Sequence, residues 1–324
     1  MIKTNVQNYK MSVDVTKSTV PVLWLDTGFI WGKEGDVKFW QKLSKLVLQN
    51  KIIVVDVGQL AEMQERFSAA NPFPANREQL QLLKFYKTVV GKYLATDHSS
   101  FLSSEIEIAM KSYVANSSDM IFNFNDLFDP LITALTKMID SLGDNINASW
   151  GTARTFKKIS SDIVFDWSSL RKDAKDKNQS FSDRHKQELM GFYEAIKKVS
   201  SGNNSRRKKN LVEFYLKRWK EISGDSELNS MLGFFKSEHY LKIPYVNIHS
   251  RLISDLIVGN EEPRSSDYFD IIMISMILPF ANYLVTDGSM KNRISDKLKL
   301  TKPSGQYDCK IIKHSEVGDL IDSL

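Results

Sequence analysis

The chain has very little cysteine, because Cys309 is alone among 324 residues. A single thiol excludes an internal disulfide and indicates a reducing compartment. Long apolar runs are also missing, and the longest, residues 271–280, is too short to cross a bilayer. Residues 1–19 lack the apolar segment of a signal peptide. We therefore expect a cytoplasmic protein with no membrane partner.

Several catalytic signatures are absent as well. The five histidines do not have the spacing of a zinc site. No Gly-x-Ser-x-Gly motif or Cys and His pairing indicates acyl transfer. The segment from Gly28 to Lys33 is one residue short of a phosphate-binding P-loop and lacks its Ser or Thr. With these motifs excluded, the carboxylates are the strongest candidates for catalytic or metal-binding side chains.

The net charge of the chain is small, but positive charge is concentrated in one region. The net charge is +5, yet residues 154–220 hold 18 Lys and Arg against eight Asp and Glu, a local balance of +10 that leaves −5 elsewhere. A basic middle on an acidic remainder is typical of a protein that binds a polyanion. A solvated, lysine-rich helical face is the other explanation of the same charge.

Apolar periodicity predicts strands towards both ends of the chain. Residues 21–25 and 51–56 are short buried runs, and helical spacing covers 37–48 and 59 to about 67. Strand, helix, strand and helix in succession imply parallel strands with a right-handed crossover. Further strands are predicted at 242–248, 283–286 and 309–313, with helices after the first to about 258 and at 267–280, 290–298 and 316–324. The expected fold is α/β, a parallel sheet of about five strands flanked by helices.

The middle of the chain has a helical pattern, at residues 77–116, 129–142, 183–199 and 206–222. We therefore predict a large all-helical insertion, residues 71–239, within one α/β domain made of residues 20–70 and 240–324. Residues 1–19 are predicted to be an N-terminal tail.

One predicted helix of this insertion is strongly basic at its start. Arg206, Arg207, Lys208 and Lys209 are candidates for contact with nucleic-acid phosphates, with a solvated face as the alternative. Further along the helix, aromatic side chains at 215 and 219 are expected to pack in the core in preference to stacking on bases.

Acidic residues follow two apolar runs that are far apart in the sequence. Asp26 ends the first predicted strand and Asp287 ends the 283–286 strand, so both belong to the sheet edge where open parallel sheets bind ligands. Glu62 lies early in the helix after the second strand, and Asp267 and Asp270 share one helix face. Clustered ionised carboxylates are costly unless a cation binds them. An oxygen-only set suits Mg²⁺ or Mn²⁺.

Each of these carboxylates also has an ordinary explanation. Asp26, Asp267 and Asp287 stand where residues cap helices or form turns, and Glu62 fits a solvated helix face. Their joint arrangement is what favours a metal site. Asp56, also at a strand end, is interpreted as a helix cap.

The order of these motifs resembles that of the PIN-like nucleases, a family with small ribonuclease toxins and larger single-chain members. The matching segments are Leu25-Asp26-Thr27, Asp56-Val-Gly-Gln-Leu-Ala-Glu62, Ile243-Pro-Tyr245, the Asp267 and Asp270 pair with the apolar helix that follows, Leu278-Pro-Phe280 and Leu284-Val-Thr-Asp287. The resemblance covers roughly residues 20–67 and 240–324. It departs from the family at Gly28, where an asparagine is usual, and the helical middle has no counterpart.

The resemblance implies a PIN-like fold and metal-dependent hydrolysis of phosphodiesters, usually in RNA. Asp26, Asp270 and Asp287 would be the main metal ligands, Glu62 would bind directly or through water, and Asp267 would assist or replace Asp270. Two alternatives stay open: a catalytically silent PIN-like protein that binds nucleic acid or a protein, and a nuclease that acts on DNA. An inhibitory protein partner or a homo-oligomer is also compatible with the family.

Overall fold

A computed structural model describes residues 11–66, 77–91, 93, 98–128, 166–200, 206–264 and 266–324. Spatial proximity divides the described chain into two compact units. The helical unit consists of the described parts of residues 1–16, 102–123 and 171–261, and the sheet unit of the described parts of 17–101, 124–170 and 262–324. These bounds differ from the predicted division into 1–19, 20–70 with 240–324, and 71–239. All five candidate carboxylates belong to the sheet unit.

The described strands are β1 (Ser12–Thr16), β2 (Val22–Leu25), β3 (Ile53–Val55), β4 (Asp119–Asn123), β5 (Tyr283–Thr286) and β6 (Lys310–Lys313). The described helices are α1 (Thr27–Gly32), α2 (Val37–Leu48), α3 (Gln59–Arg66), α4 (Arg77–Val90), α5 (His98–Val114), α6 (Phe124–Leu127), α7 (Trp167–Asp176), α8 (Phe181–Ser200), α9 (Arg206–Ser223), α10 (Leu228–Lys236), α11 (Glu238–Leu241), α12 (Pro244–Val258), α13 (Asp267–Ile277), α14 (Gly288–Asn292) and α15 (Val317–Ser323). A π-helical turn, Arg293–Lys297, continues α14, and a 3-10 turn, His314–Glu316, precedes α15.

The sheet unit contains a four-stranded parallel sheet in the order β3-β2-β5-β6. From β2 the chain moves outward to β3, and from β5 it moves outward in the other direction to β6, so the strand order reverses between β2 and β5. Leu25 is in register with Val285 across that pair. The predicted α/β class with a parallel sheet is confirmed, with strands drawn from both ends of the sequence.

Helices cover the sheet and bury strands β2 and β3 completely. All four residues of β2 and all three of β3 are buried, which explains why these strands are continuous apolar runs without alternation. On α2, Trp40, Leu43 and Leu46 are buried at helical spacing. They join Leu23, Val54 and residues of α4 and α15 in one apolar cluster. The core therefore lies against the sheet and fixes the strand ends that carry the candidate site.

The strand predicted at 242–248 is wrong, since this segment begins α12. Pro244 occupies the first helical turn, where its missing N–H and fixed φ favour a helix. The buried residues that follow, such as Ile248, Leu252 and Leu256, recur with helical spacing. The sheet consequently has four strands where about five were expected.

The segment predicted as an all-helical insertion also contains a strand. β4 pairs in parallel with β1, which lies in the predicted N-terminal tail, to form a separate two-stranded sheet in the helical unit. Within β4, Met120 and Phe122 are buried while Asp119 and Ile121 are exposed, the two-residue alternation of a half-buried strand. The apolar run of β4 is too short for its two-residue periodicity to predict a strand from the sequence.

The helix predicted over 77–116 is interrupted. α4 ends at Val90, and Gly91 follows with φ of +59°, a conformation that suits glycine and ends helices. α5 then begins at His98. The helix predicted at 129–142 lies outside the described residues. The helices predicted at 183–199 and 206–222 correspond to α8 and α9.

Aromatic side chains form much of the core of the helical unit. The Phe235 ring lies 5.0 Å from the Phe192 and Tyr240 rings and 6.0 Å from the Tyr215 ring. Tyr215 and Trp219 are 4% and 3% exposed, so the expected core packing of both side chains is confirmed. In the described part of the chain, no helix has the length and apolar character needed to cross a membrane.

Glu105 supports the start of α12 from within the helical unit. Its Oε2 accepts a hydrogen bond of 3.0 Å from the Tyr245 backbone N–H, and its side chain is fully buried. Burial raises the pKa of this carboxyl to about 8, against the smaller opposing effect of the Tyr245 hydrogen bond. The ionised form is therefore disfavoured in the folded state.

We expect Glu105→Gln to reduce the loss of stability at alkaline pH. Because the folded pKa lies above the unfolded one, the parent protein loses stability as the pH rises towards about 8. Glutamine keeps the acceptor for Tyr245 and carries no charge, so the variant should be more stable by about 2 kcal/mol at pH 8 and nearly equal at pH 5. Urea unfolding at both pH values measures this difference, and a pH-independent difference would contradict the interpretation.

Candidate functional site

The C-terminal ends of the four parallel strands carry polar side chains. In sheet order the residues that follow the strands are Asp56, Asp26, Asp287 and His314. Asp26 and Asp287 end the two adjacent strands between which the strand order reverses. This is the position at which open parallel sheets form a ligand-binding crevice. The expectation that these two aspartates mark neighbouring strand ends is confirmed.

Asp26 is held in place by the helix that it precedes. Its Oδ1 accepts a 3.0 Å hydrogen bond from the Gly28 N–H at the start of α1. Its Oδ2 lies 3.3 Å from His314 Nε2, at the end of β6. Asp26 is therefore both a helix cap, as the ordinary explanation had it, and a half-buried carboxylate at the sheet edge.

Asp287 is fixed in the same manner at the start of α14. Its Oδ1 accepts a 2.8 Å hydrogen bond from the Met290 N–H, and its Oδ2 accepts a 3.1 Å bond from Arg264 Nη2. Burial alone would raise the pKa of Asp287, but these two partners outweigh it and hold the pKa below its usual value. Asp287 is thus ionised throughout the neutral range.

Asp267 and Asp270 lie on the first turn of α13. Asp267 is buried and accepts hydrogen bonds from Arg264 at both carboxylate oxygens, 3.0 Å from Nε and 2.9 Å from the backbone N. For Asp270, burial is the largest cause of a pKa raised to about 8, followed by the negative charges of Asp26, Glu62 and Asp267, with Arg264 opposing.

Several negatively charged side chains lie near enough to Asp270 to raise its pKa, because charges influence one another strongly only at short range. Asp26, Glu62 and Asp267 come from three different helices or loops, and all three act on this one carboxyl. Glu62 lies in the first turn of α3, as predicted, and is half-buried. The sheet unit thus brings Asp26, Glu62 and Asp267 near Asp270, and Arg264 links Asp267 to Asp287.

Arg264 is the main residue that sequence reasoning missed. Its guanidinium bridges Asp267 and Asp287, at 3.0 and 3.1 Å, although 57% of its side chain is exposed. The bridge places a positive charge within the carboxylate group. The available signal in the sequence is its position three residues before Asp267, between two predicted helices.

Sequence patterns assigned no role to His314, because the five histidines lack the spacing of a zinc site. It directly follows β6, and its ring lies beside Phe29 at 5.5 Å between centroids. The available signal was its place at a strand end, the same signal that identified Asp26 and Asp287.

Asp56 is a helix cap, as interpreted. Its two oxygens accept hydrogen bonds from the Gly58 and Leu60 backbone N–H groups at 2.9 and 2.7 Å. Burial raises its pKa to about 6 despite these bonds. Its oxygens are thus committed to the start of α3, which orients the helix that carries Glu62.

The donor atoms of these residues are of the kind that hard divalent cations prefer. The residues offer carboxylate oxygens with an excess of negative charge around Asp270. Thr27, next to Asp26, has a buried hydroxyl with no hydrogen-bond partner, and such orphaned groups call for an explanation such as a bound ion or water. Within the described residues, no three His, Cys, Asp or Glu side chains are placed to hold a metal ion as they stand. Side chains would therefore have to move before these residues could hold such an ion.

The basic residues predicted to contact phosphate begin α9. The backbone of Arg206, Arg207, Lys208 and Lys209 is helical, and their side chains lie outside what the structure describes. Their predicted role in binding nucleic acid stays a prediction.

Comparison with known proteins gave no match to a family model, a curated protein or a solved structure. The resemblance to PIN-like nucleases consequently stays a prediction from the motifs, and the sheet-edge geometry is the main basis for a functional conclusion.

Proposed function

We propose that this protein is a metal-dependent phosphodiester hydrolase, a PIN-like nuclease that acts on RNA and uses Mg²⁺ or Mn²⁺. One observation carries the proposal: Asp26 and Asp287 follow adjacent strands at the switch point of the sheet, and burial, together with the negative charges of Asp26, Glu62 and Asp267, raises the pKa of Asp270 to about 8. A fold gains nothing in stability from such crowding, because each like charge opposes the others. A bound cation would offset the repulsion among these carboxylates.

The proposed ligands have distinct local supports. Asp26 and Asp287 are oriented by the Gly28 and Met290 N–H groups, and Asp270 lies among the other negative charges. The two backbone hydrogen bonds hold Asp26 and Asp287 at the sheet edge, which reduces the number of side chains that must be ordered when an ion binds. Glu62 would bind the ion directly or through water, and Asp267 would assist Asp270.

When bound, a divalent ion would activate water and neutralise charge on a phosphodiester. The chain's own contribution is to hold the carboxylates at the edge of the sheet and to present positive charge to a polyanion. Arg264 is exposed beside the carboxylates, and residues 154–220 carry the local excess of +10. Both features favour a nucleic acid as substrate. The preference for RNA rests on the resemblance to PIN-like nucleases.

We expect cleavage of single-stranded RNA that depends on Mn²⁺ or Mg²⁺ and stops when EDTA removes the ion. The test incubates the protein with end-labelled RNA and with DNA of the same sequence, with each metal and with EDTA. Faster cleavage of the DNA would favour the DNA-directed alternative. If both substrates stay intact with both metals, the proposed hydrolase is wrong.

A catalytically silent binding protein is the second candidate, and one observation favours it. Arg264 already supplies a cation to Asp267 and Asp287, as a structural ion pair would in a site that has lost its metal. In that case neither Mn²⁺ nor Mg²⁺ should change the melting temperature. A metal-dependent rise in the melting temperature favours the hydrolase, because a ligand that binds only the folded state stabilises it.

A further inference from the structure

One side of α9 packs into the core of the helical unit. Val212, Tyr215 and Trp219 are buried and recur at helical spacing on that side. The Tyr215 ring lies 5.2 Å from the Phe192 ring, and the Trp219 ring lies 6.2 Å from the Phe234 ring. The apolar side of the helix is therefore committed to the core, and the exposed side chains of α9 lie on the opposite side.

The exposed side of α9 is rich in positive charge. Lys217, Arg218 and Lys220 are exposed there, together with Glu213 and Glu221. The helix as a whole has seven Lys and Arg against two Glu, so its formal charge is +5, as large as that of the entire chain. Its 18 residues extend over about 27 Å. Positive charge at this density attracts a polyanion.

An aromatic ring is exposed among these charges. Phe214 is 43% exposed, which is the largest exposed fraction of any aromatic side chain among the residues that the structure describes. A ring that stays in contact with water adds little to the stability of the fold, because apolar groups stabilise a protein in proportion to the area that they bury. The Phe214 ring is therefore available to a ligand.

Neighbouring contacts hold a second planar group beside this ring. Arg218 follows Phe214 by four residues, and its guanidinium carbon lies 6.0 Å from the centre of the ring. Arg218 Nη1 donates a 2.9 Å hydrogen bond to Glu221 Oε2, and the Phe214 ring meets the Tyr215 ring edge-on at 5.1 Å. Ring and guanidinium are thus positioned next to each other while both stay partly exposed. Nucleic-acid bases stack on aromatic rings and on guanidinium planes.

The combination of stacking groups and lysines fits one class of ligand best. A membrane surface is a poor fit, because a helix that lies on a membrane needs an apolar face, and the apolar face of α9 is buried in the core. A nucleic-acid duplex offers phosphates but keeps its bases stacked on one another. A single strand offers both phosphates and unpaired bases.

We propose that the exposed side of α9 binds single-stranded RNA, with one base stacked on Phe214 and Arg218 and with Lys217 and Lys220 in contact with neighbouring phosphates. Such a surface serves a hydrolase and a silent binding protein equally, so the inference goes beyond catalysis. Only the choice of RNA over DNA rests on the proposed function.

The test measures the affinity of the full chain for a short, unstructured, fluorescently labelled RNA by anisotropy, in EDTA so that no metal-dependent cleavage occurs. Phe214→Leu keeps an apolar side chain but removes the ring, and it should weaken binding at least about fivefold, the low end of what the loss of a base–aromatic stack costs. Phe214→Trp keeps a ring and should bind as tightly as the parent. If Phe214→Leu binds as tightly as the parent, the stacking role is wrong.

The dependence of affinity on salt separates the lysines from the ring. Each contact with a phosphate of a single strand contributes about 0.7 to the slope of log affinity against log salt concentration. Lys217→Gln should therefore make this slope shallower by about 0.7, whereas Phe214→Leu should leave it unchanged. A slope that is unchanged in both Lys217→Gln and Lys220→Gln would refute the phosphate contacts.

Leu48→Ala is the matched control, because Leu48 is an 85% exposed apolar side chain on α2, in the sheet unit. It should bind the RNA as the parent does, and an equal loss in Leu48→Ala and Phe214→Leu would overturn the proposal. Duplex RNA that binds as tightly as the single strand would also overturn it, and tighter binding of single-stranded DNA of the same sequence would overturn the choice of RNA. Binding of RNA without metal-dependent cleavage would refute the hydrolase and leave the role of α9 standing.

Discussion

Asp26→Asn and Asp287→Asn are each expected to reduce RNA cleavage by at least about a hundredfold, the upper end of what the loss of an indirect metal partner costs. Each substitution removes a negative charge from the switch point and leaves a side chain of the same shape. Asparagine still accepts a hydrogen bond, so the helix starts at Gly28 and Met290 should be preserved. The loss should therefore arise from the metal and not from the fold.

Asp36→Asn is a matched control for this experiment. Asp36 caps α2 by accepting a 3.1 Å hydrogen bond from the Phe39 N–H, the same structural role that Asp26 has at α1. It is not among the carboxylates that raise the pKa of Asp270. Rates are measured with Mn²⁺ at substrate concentrations below saturation. If Asp26→Asn cleaves as fast as Asp36→Asn, Asp26 does not take part in the reaction.

Asp270→Asn is expected to make the metal-free protein more stable while it removes metal binding. The folded pKa of Asp270 is raised from 3.8 to about 8, so ionisation in the folded protein costs free energy that asparagine avoids. We expect a gain of about 2 kcal/mol at pH 8 in EDTA, well below the full linkage value of 1.36 kcal/mol per pKa unit. Melting temperature should rise by about 5 °C.

The sign of this effect depends on pH and on the residue. Because the pKa of Asp270 is raised, the advantage of the variant should be absent near pH 4 and should grow as the pH approaches 8. Asp287→Asn should have the opposite effect, since Arg264 and Met290 hold the pKa of Asp287 below its usual value. Added Mn²⁺ should raise the melting temperature of the parent more than that of Asp270→Asn, and equal shifts would remove Asp270 from the site.

The C-terminal ends of the strands could be predicted from the sequence because the patterns that identify them are local. A short apolar run followed by an aspartate identifies a buried strand and its end, and this gave Asp26 and Asp287 together with four strands of the sheet. The segment around Pro244 was wrongly predicted to be a strand. Its apolar residues fit a strand over a short stretch and fit a helix only when the whole of α12 is considered. The pairing of β1 with β4 joins segments about a hundred residues apart, and no local pattern reveals such a contact.

The parts of the site that could not be predicted are those set by tertiary contact. Arg264 is an ordinary loop residue until the fold brings Asp287 to its guanidinium. His314 and Asp26 are separated by 288 positions in the sequence and meet only because β2 and β6 belong to the same parallel sheet, on either side of β5. Sequence patterns identified the side chains that repel one another, and the fold was needed to find those that compensate.

The strand order also determines when the site can exist during protein synthesis. β2 and β3 are made well before their sheet neighbours β5 and β6, which lie in residues 283–313. A nascent chain that has completed α12 carries Asp26 and Glu62 without Asp270 or Asp287. Domains fold as their segments leave the ribosome, so we expect the carboxylates of the candidate site to come together only after β5 and β6 have been made.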